Sequence, residues 1–179
     1  MHPRTLGLLA VIVFILGGSG AYLAKWLRQQ QQHTGTAYLN SLPDFRLKDP
    51  WGKAHNNAEW AGNIVILNFW ATWCAPCKQE MPGFQALQER YFNAGVRFVG
   101  IAIDTPVAVE VFAQDMDIDF PLLVAEMDGA ELSRRLGNRL RALPFTAVFD
   151  KVGRLVATRE GAWSRDDLEK LITGLLKNG

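Results

Sequence analysis

Cys74 and Cys77 are the only cysteines in the chain, and the stretch NFWATWCAPCKQEMP (residues 68–82) holds them both. Two thiols at this spacing can clip a metal, staple the chain, or pass electrons as a dithiol–disulfide pair. A structural zinc site needs four ligands, and the three histidines, His2, His33 and His55, all stand far from the pair in sequence. Haem attachment needs a histidine directly after the second cysteine, where this chain has Lys78. A staple over two residues restrains little of the unfolded chain, because that stabilisation grows with loop length.

The redox reading carries a mechanism of its own. The run IVILNFW, Ile64 to Trp70, is continuously apolar and rich in β-branched residues, as in a strand covered on both faces. From Cys77 onward, Met81, Phe84, Leu87 and Tyr91 recur every three or four residues, which marks a helix with one buried face. Cys74 therefore falls where a strand ends and a helix begins. There the free N–H groups and the positive end of the helix dipole stabilise a thiolate. Pro76 suits the first helical turn, where a missing N–H costs nothing. This makes Cys74 the nucleophile and Cys77, one turn in and shielded, the resolving thiol. With no third cysteine, exchange must be with another molecule.

The surrounding elements form a frame for that pair. VRFVGIAID (96–104) predicts a second buried strand, completing a βαβ unit. Residues 106–116 and 128–136 can be helices, with PLLVA (121–125) a strand between them. PFTAVFD (144–150), a Lys151-Val152-Gly153 turn and RLVATRE read as an antiparallel hairpin. Upstream, Asp49-Pro50-Trp51-Gly52 predicts a turn between two short strands. The last helix opens on Ser164 with Asp167 three residues on, a capping-box pattern, and carries Leu168, Leu171, Ile172, Leu175 and Leu176 on one stripe.

Ahead of this domain, Leu6 to Ala24 contains no charge, with Arg4 before it and Lys25 and Arg28 after. Nineteen residues of helix rise about 28 Å, close to the hydrocarbon thickness of a bilayer. A signal peptide cleaved near Gly18 or Gly20 is the rival reading; span length and Trp26 at the far boundary favour an uncleaved anchor. The expected organisation is an anchor or signal peptide over residues 1–28, a polar tether over 29–39 that includes a solvated His33, and one folded domain over 40–179. The domain is then expected on the extracytoplasmic side of the cytoplasmic membrane, where disulfides persist. A formal net charge of +1 gives no basic surface for nucleic acid.

FWATWCAPCKQEMP resembles the active-site segment of thioredoxin-fold proteins, specifically membrane-anchored thiol–disulfide oxidoreductases of the TlpA/ResA/CcmG type. The resemblance runs from about Pro43 to the C-terminus and includes the PDF opening, the segment inserted after GIAID, and LPFTAVFD. It implies a thioredoxin-like α/β fold: a central mixed sheet flanked by helices, with an N-terminal hairpin extension and a family-type insertion. It also implies that Pro144 is cis and faces the active site, and that Leu143 offers its backbone to an extended substrate peptide. An ordinary trans proline starting a strand is the plain alternative. Thioredoxin's buried aspartate and its partner lysine align with Asn68 and Gly100, so that proton-handling pair is absent.

Glu80, one turn beyond Cys77, matches a glutamate that lies in a cavity by the disulfide in the ResA/TlpA branch, where it could relay protons. A solvated glutamate on an exposed face is the competing reading. Trp73 is read as a shield and partner contact, Trp70 and Phe69 as core, and Lys78 as a solvated helix residue. Asp104 and Asp150 receive no role. The resemblance further implies clients such as apocytochrome c cysteines or a copper-site protein. A transmembrane thiol-transfer protein of the DsbD/CcdA kind would be the electron donor, and no cofactor is implied. A reductase is the favoured reading. The alternatives are a disulfide-forming oxidase and a non-catalytic copper(I) carrier, the latter lacking a nearby histidine or methionine cluster. A peroxidase is weaker, since the threonine expected three residues before the reactive cysteine is Ala71.

Overall fold

The computed structural model describes residues 41–178; the expected anchor and tether lie outside them. No helix among the described residues is long and apolar enough to cross a membrane.

Seven strands form one sheet. They are β1 (Arg46–Lys48), β2 (Ala54–Asn56), β3 (Ile64–Trp70), β4 (Val96–Ala102), β5 (Leu122–Val124), β6 (Phe145–Phe149) and β7 (Leu155–Glu160). Their spatial order is β2-β1-β5-β4-β3-β6-β7. The sheet is mixed: β3, β4 and β5 run parallel, whereas β1, β2, β6 and β7 join through antiparallel pairings. Four α-helices complete the domain: α1 (Ala75–Tyr91), α2 (Pro106–Met116), α3 (Glu126–Arg135) and α4 (Arg165–Asn178). This is the thioredoxin-like arrangement, with the β1–β2 hairpin at one edge of the sheet.

Every residue of β3 is buried, and the strand's period of two sorts its side chains between two cores. Ile64, Ile66 and Trp70 pack with Met81, Phe84 and Leu87 of α1, Phe112 of α2, and Leu168 and Ile172 of α4. Val65, Leu67 and Phe69 pack on the other face with Phe45, Trp60 and Leu132 of α3. Truncating a wholly buried ring such as Phe84 to alanine would cost about 3–5 kcal/mol.

α1 begins at Ala75, at the strand–helix junction expected, and Cys74 itself caps it. Other boundaries differ from expectation by one or two residues. β4 ends at Ala102 and not Asp104; Ile103 N–H makes a ladder bond to the Trp70 carbonyl of β3 (2.8 Å), and Asp104 lies beyond the paired residues. α3 spans Glu126–Arg135 rather than 128–136, entered through Glu126 at φ +40°. The last helix has the expected cap: Ser164 Oγ accepts from Asp167 N–H (3.2 Å) and its hydroxyl donates to the Asp167 carboxylate (2.9 Å). At the upstream turn, Asp49 Oδ1 accepts from both Trp51 and Lys53 N–H.

A candidate redox site at the head of α1

β3 delivers the chain to Cys74 at the carboxyl end of the parallel strands. Cys74 is extended (φ −88°, ψ 99°) and its sulfur accepts from Cys77 N–H at 3.3 Å, the place an oxygen occupies in an ordinary N-cap. Cys74 and Cys77 are joined as a disulfide. Cys77 is wholly buried and Cys74 retains 5% exposure, so an incoming thiolate meets Cys74 first. Trp73 stands out beside it at 69% exposure, whereas Trp70 and Phe69 are core and Lys78 is exposed.

Glu80 does not sit on a solvated face; it is 6% exposed. Helical spacing sets it on the face of α1 that also carries Cys77. Its Oε1 accepts from Asn68 Nδ2 (2.8 Å) and its Oε2 from Trp163 N–H (2.9 Å). Burial raises its pKa, against the Trp163 N–H, the Asn68 amide and the Arg159 charge, leaving it pushed up to about 7. Asn68 also donates to Thr146 Oγ1 (3.0 Å), its strand neighbour on β6. Asn68 Oδ1 finds no partner among the described residues. Gly100 is Asn68's neighbour on β4, and a Cβ there would lie 2.6 Å from Leu122 Cδ2 and 3.0 Å from Trp70 Nε1. Any side chain at that position would have to displace Leu122.

Asp104, given no role from sequence, holds the loop that carries the nucleophile. Its Oδ2 accepts from Thr72 N–H (2.9 Å) and the Thr72 hydroxyl (2.6 Å), and its Oδ1 from Thr105 N–H (2.8 Å). Burial alone would raise this carboxyl, but those three donors outweigh it and hold the pKa below 3.8. Asp150 is likewise employed, in a turn: its Oδ1 accepts from Val152 and Arg154 N–H and its Oδ2 from Arg154 Nε. His55, the one histidine among the described residues, lies on β2 bonded to Glu59 (2.8 Å) and Asp49 (3.4 Å).

The Leu143–Pro144 bond is cis. Because β6 runs antiparallel to β3, with Phe145 opposite Phe69, Pro144 lies at the end of the sheet where β3 delivers Cys74. Leu143 makes no backbone hydrogen bond among the described residues, so its N–H and carbonyl are open.

Residues 39–158 match the AhpC/TSA family. The chain belongs to that family. Among its curated relatives is the thiol-disulfide oxidoreductase ResA of Geobacillus kaustophilus, 32% identical over 140 residues that cover 78% of each chain. The ResA of Bacillus cereus is 29% identical over 166 residues, 90% of this chain and 91% of the relative. A thiol:disulfide interchange protein of the thioredoxin family from Chlorobium tepidum superposes with a TM-score of 0.68 at 27% identity, over 76% of this chain and 96% of its own. A secreted thiol-disulfide isomerase from Corynebacterium glutamicum gives 0.69 at 26% identity, over 76% and 85%. These AhpC/TSA relatives are named for thiol–disulfide chemistry, and the cysteine pair such chemistry requires is present here as Cys74 and Cys77.

Neither the glutamate's partners nor the aspartate's could be read from spacing. Asn68 and Thr146 are 78 residues apart and Glu80 and Trp163 are 83 apart. The one available signal was a polar Asn68 inside an otherwise apolar strand.

Proposed function

We propose that this thiol–disulfide oxidoreductase works as a reductase of client protein disulfides, exported and tethered to the cytoplasmic membrane by its N-terminal segment. The observation that carries the reading is a disulfide at a helix N-terminus, with one sulfur buried and a carboxyl titrating at about 7 one turn behind it.

The reaction runs as an exchange in two displacements. In the reduced protein, the Cys74 thiolate attacks one client sulfur, and the client S–S bond breaks. The departing client thiolate takes a proton. Cys77 then loses its proton, with Glu80 in position as the base, and its sulfur attacks Cys74 Sγ. The mixed disulfide breaks and the second client thiol leaves. The client gains two electrons and two protons, and the enzyme is left as the Cys74–Cys77 disulfide. In the reverse half-cycle a donor thiolate attacks Cys74 Sγ, the Cys74–Cys77 bond breaks, and a protonated Glu80 gives its proton to the departing Cys77 sulfur; the donor's second thiol then displaces Cys74, and the donor leaves as a disulfide.

Trp73 and the open backbone of Leu143, next to Pro144, would receive the client as an extended segment. Apocytochrome c haem-binding cysteines or a copper-site protein are suitable clients, and a transmembrane thiol-transfer protein of the DsbD/CcdA kind is a suitable donor. An unchanged cytochrome c content after deletion of the gene would remove the first client.

The deciding measurement is the reduction potential of the pair, by equilibrating the full chain with a thiol buffer. A value at or below about −220 mV supports a dedicated reductase. A value near about −120 mV makes the protein an oxidant, and the absence of exchange overturns the enzymatic reading altogether.

A further inference from the structure

The loop that leads into Pro144 is held by a buried side chain that the redox chemistry leaves unused. Asn138, wholly buried, accepts through Oδ1 from Ala142 N–H (2.9 Å) and donates through Nδ2 to the Ala142 carbonyl (2.9 Å). Its second amide hydrogen goes to Ser133 Oγ (3.3 Å), and its own N–H goes to the Ser133 carbonyl (3.1 Å). Ser133, also wholly buried, donates to the Ala130 carbonyl (2.9 Å), so the loop is tied back into α3.

One side-chain amide therefore occupies both backbone polar atoms of Ala142. Pro144 has no N–H, and its carbonyl accepts from Gly161 N–H (2.9 Å). Along residues 142–144, the only backbone donor and acceptor left over are those of Leu143. Outside the neck that Asn138 closes, Arg141 turns through φ +52° and Leu140 projects at 80% exposure. The tip is thus free to vary while the neck is fixed from within.

We propose that Asn138 is the positioning residue that holds Leu143 open for an extended client peptide. The proposal rests on the reading that Leu143 and Pro144 receive the client. Closing the neck in advance removes the ordering cost that a loose loop would incur on binding. It also keeps Ala142 from offering the peptide a second, out-of-register donor and acceptor. Asparagine suits the role because its amide supplies an acceptor and two donors in one plane; aspartate keeps only the acceptor, and alanine neither.

The test uses the full-length reduced protein in single turnovers with two substrates: an extended peptide closed by one disulfide, and the small aromatic disulfide dithiobisnitrobenzoate. Asn138→Ala is expected to raise the half-saturating peptide concentration on the order of tenfold, with the limiting rate and the dithiobisnitrobenzoate rate within about twofold of the parent. Asn138→Asp, which retains the bond to Ala142 N–H, is expected to fall between. Equal losses with both substrates, or an unchanged peptide constant, overturn the proposal; a fall in Tm alone counts against it in the same way. Should the alanine variant not fold, N138D decides by whether it shifts the peptide constant selectively. Pro144→Ala separates the two layers of the argument. If P144A shifts the peptide constant and N138A does not, the Asn138 assignment alone fails. If neither variant distinguishes peptide from small disulfide, the client-binding reading fails and the proposal falls with it.

Discussion

Two carboxylates flank the cysteine pair, one behind it and one in front, and the protein treats them in opposite ways. Behind, Glu80 accepts one amide hydrogen and one backbone N–H in a buried setting, and its pKa climbs to about 7. In front, Asp104 lies at the rim of the loop with three donors on its two oxygens, and its pKa falls. Burial acts upward on both groups; the number of donors, and Asp104's greater exposure, decide the sign. A carboxyl held near neutrality can give and take a proton within one catalytic cycle. A carboxylate held well below neutrality is a fixed anion and serves as a clamp. On the proposed mechanism Glu80 carries protons and Asp104 carries geometry.

The largest effect expected from breaking this division is on exchange. Glu80→Gln keeps the shape and removes the proton, so exchange should slow by about a hundredfold, within the range for loss of one general acid–base. The about-7 value belongs to the disulfide form. In re-reduction, therefore, the ratio of wild-type to E80Q rates should fall as pH rises through 7, measured with a fixed thiol donor. A pH-independent ratio would mean that Glu80 is scaffold. Stability should move the opposite way. A folded-state pKa raised from 4.5 to about 7 gives stability that is complete below 4.5 and lost as pH rises through 7. Ionising the buried group costs roughly 3 kcal/mol. E80Q should therefore gain in Tm relative to wild type as pH rises across that window and hold the gain above it.

The front carboxylate should give the mirror image with a smaller amplitude. Asp104→Asn weakens three bonds, two of which hold Thr72, two residues from Cys74, and should cost about 2 kcal/mol near neutral pH. Because the folded pKa is lowered, this stabilisation is present above 3.8 and is lost as pH falls through the folded value. Chemical denaturation at pH 7 and at pH 3 should show the wild-type advantage shrinking toward acid. Exchange should fall several-fold through misplacement of Cys74, with no change in the pH profile near 7. A D104N profile altered near 7 would show that the two carboxylates act as one unit.

How much of this was legible in the sequence follows from the range of the interactions. α1 and α4 stood out because a buried face imposes a period of 3.6 on consecutive residues, and β3 because its apolar run is unbroken; both are local properties. The site's chemistry was legible down to Cys74 and Cys77, since the pair and the strand–helix junction occupy one short run. What escaped was partnership. Periodicity says that position 68 faces inward but not that Thr146 and Glu80 will meet it there. It gives no sign that Asp104 will leave the strand to hold Thr72. The start of α1 was legible but its cap was not: cysteine is not a usual cap, and only the 3.3 Å contact from Cys77 N–H to its sulfur reveals that it caps here. Asn138 was missed because its partner, four residues on, sits in a loop with no period to read.

The finest test lies one bond further from the cysteines. Thr146 bonds to Asn68 but not to Glu80 itself, so it belongs to the scaffold side of the division. Thr146→Val keeps the volume and deletes the hydroxyl that receives the second Asn68 hydrogen. The released donor is buried, and its loss of a partner should cost about 1 kcal/mol, a few degrees in Tm. Asn68 still has Glu80 to donate to, so exchange should stay within about twofold of wild type and keep its dependence on pH. A rate as low as that of E80Q would instead mean that Thr146 sets the proton affinity of Glu80 through the shared amide. The proton-carrying unit would then extend from α1 across β3 to β6, and the line between carrier and clamp would have to be drawn around three residues rather than one.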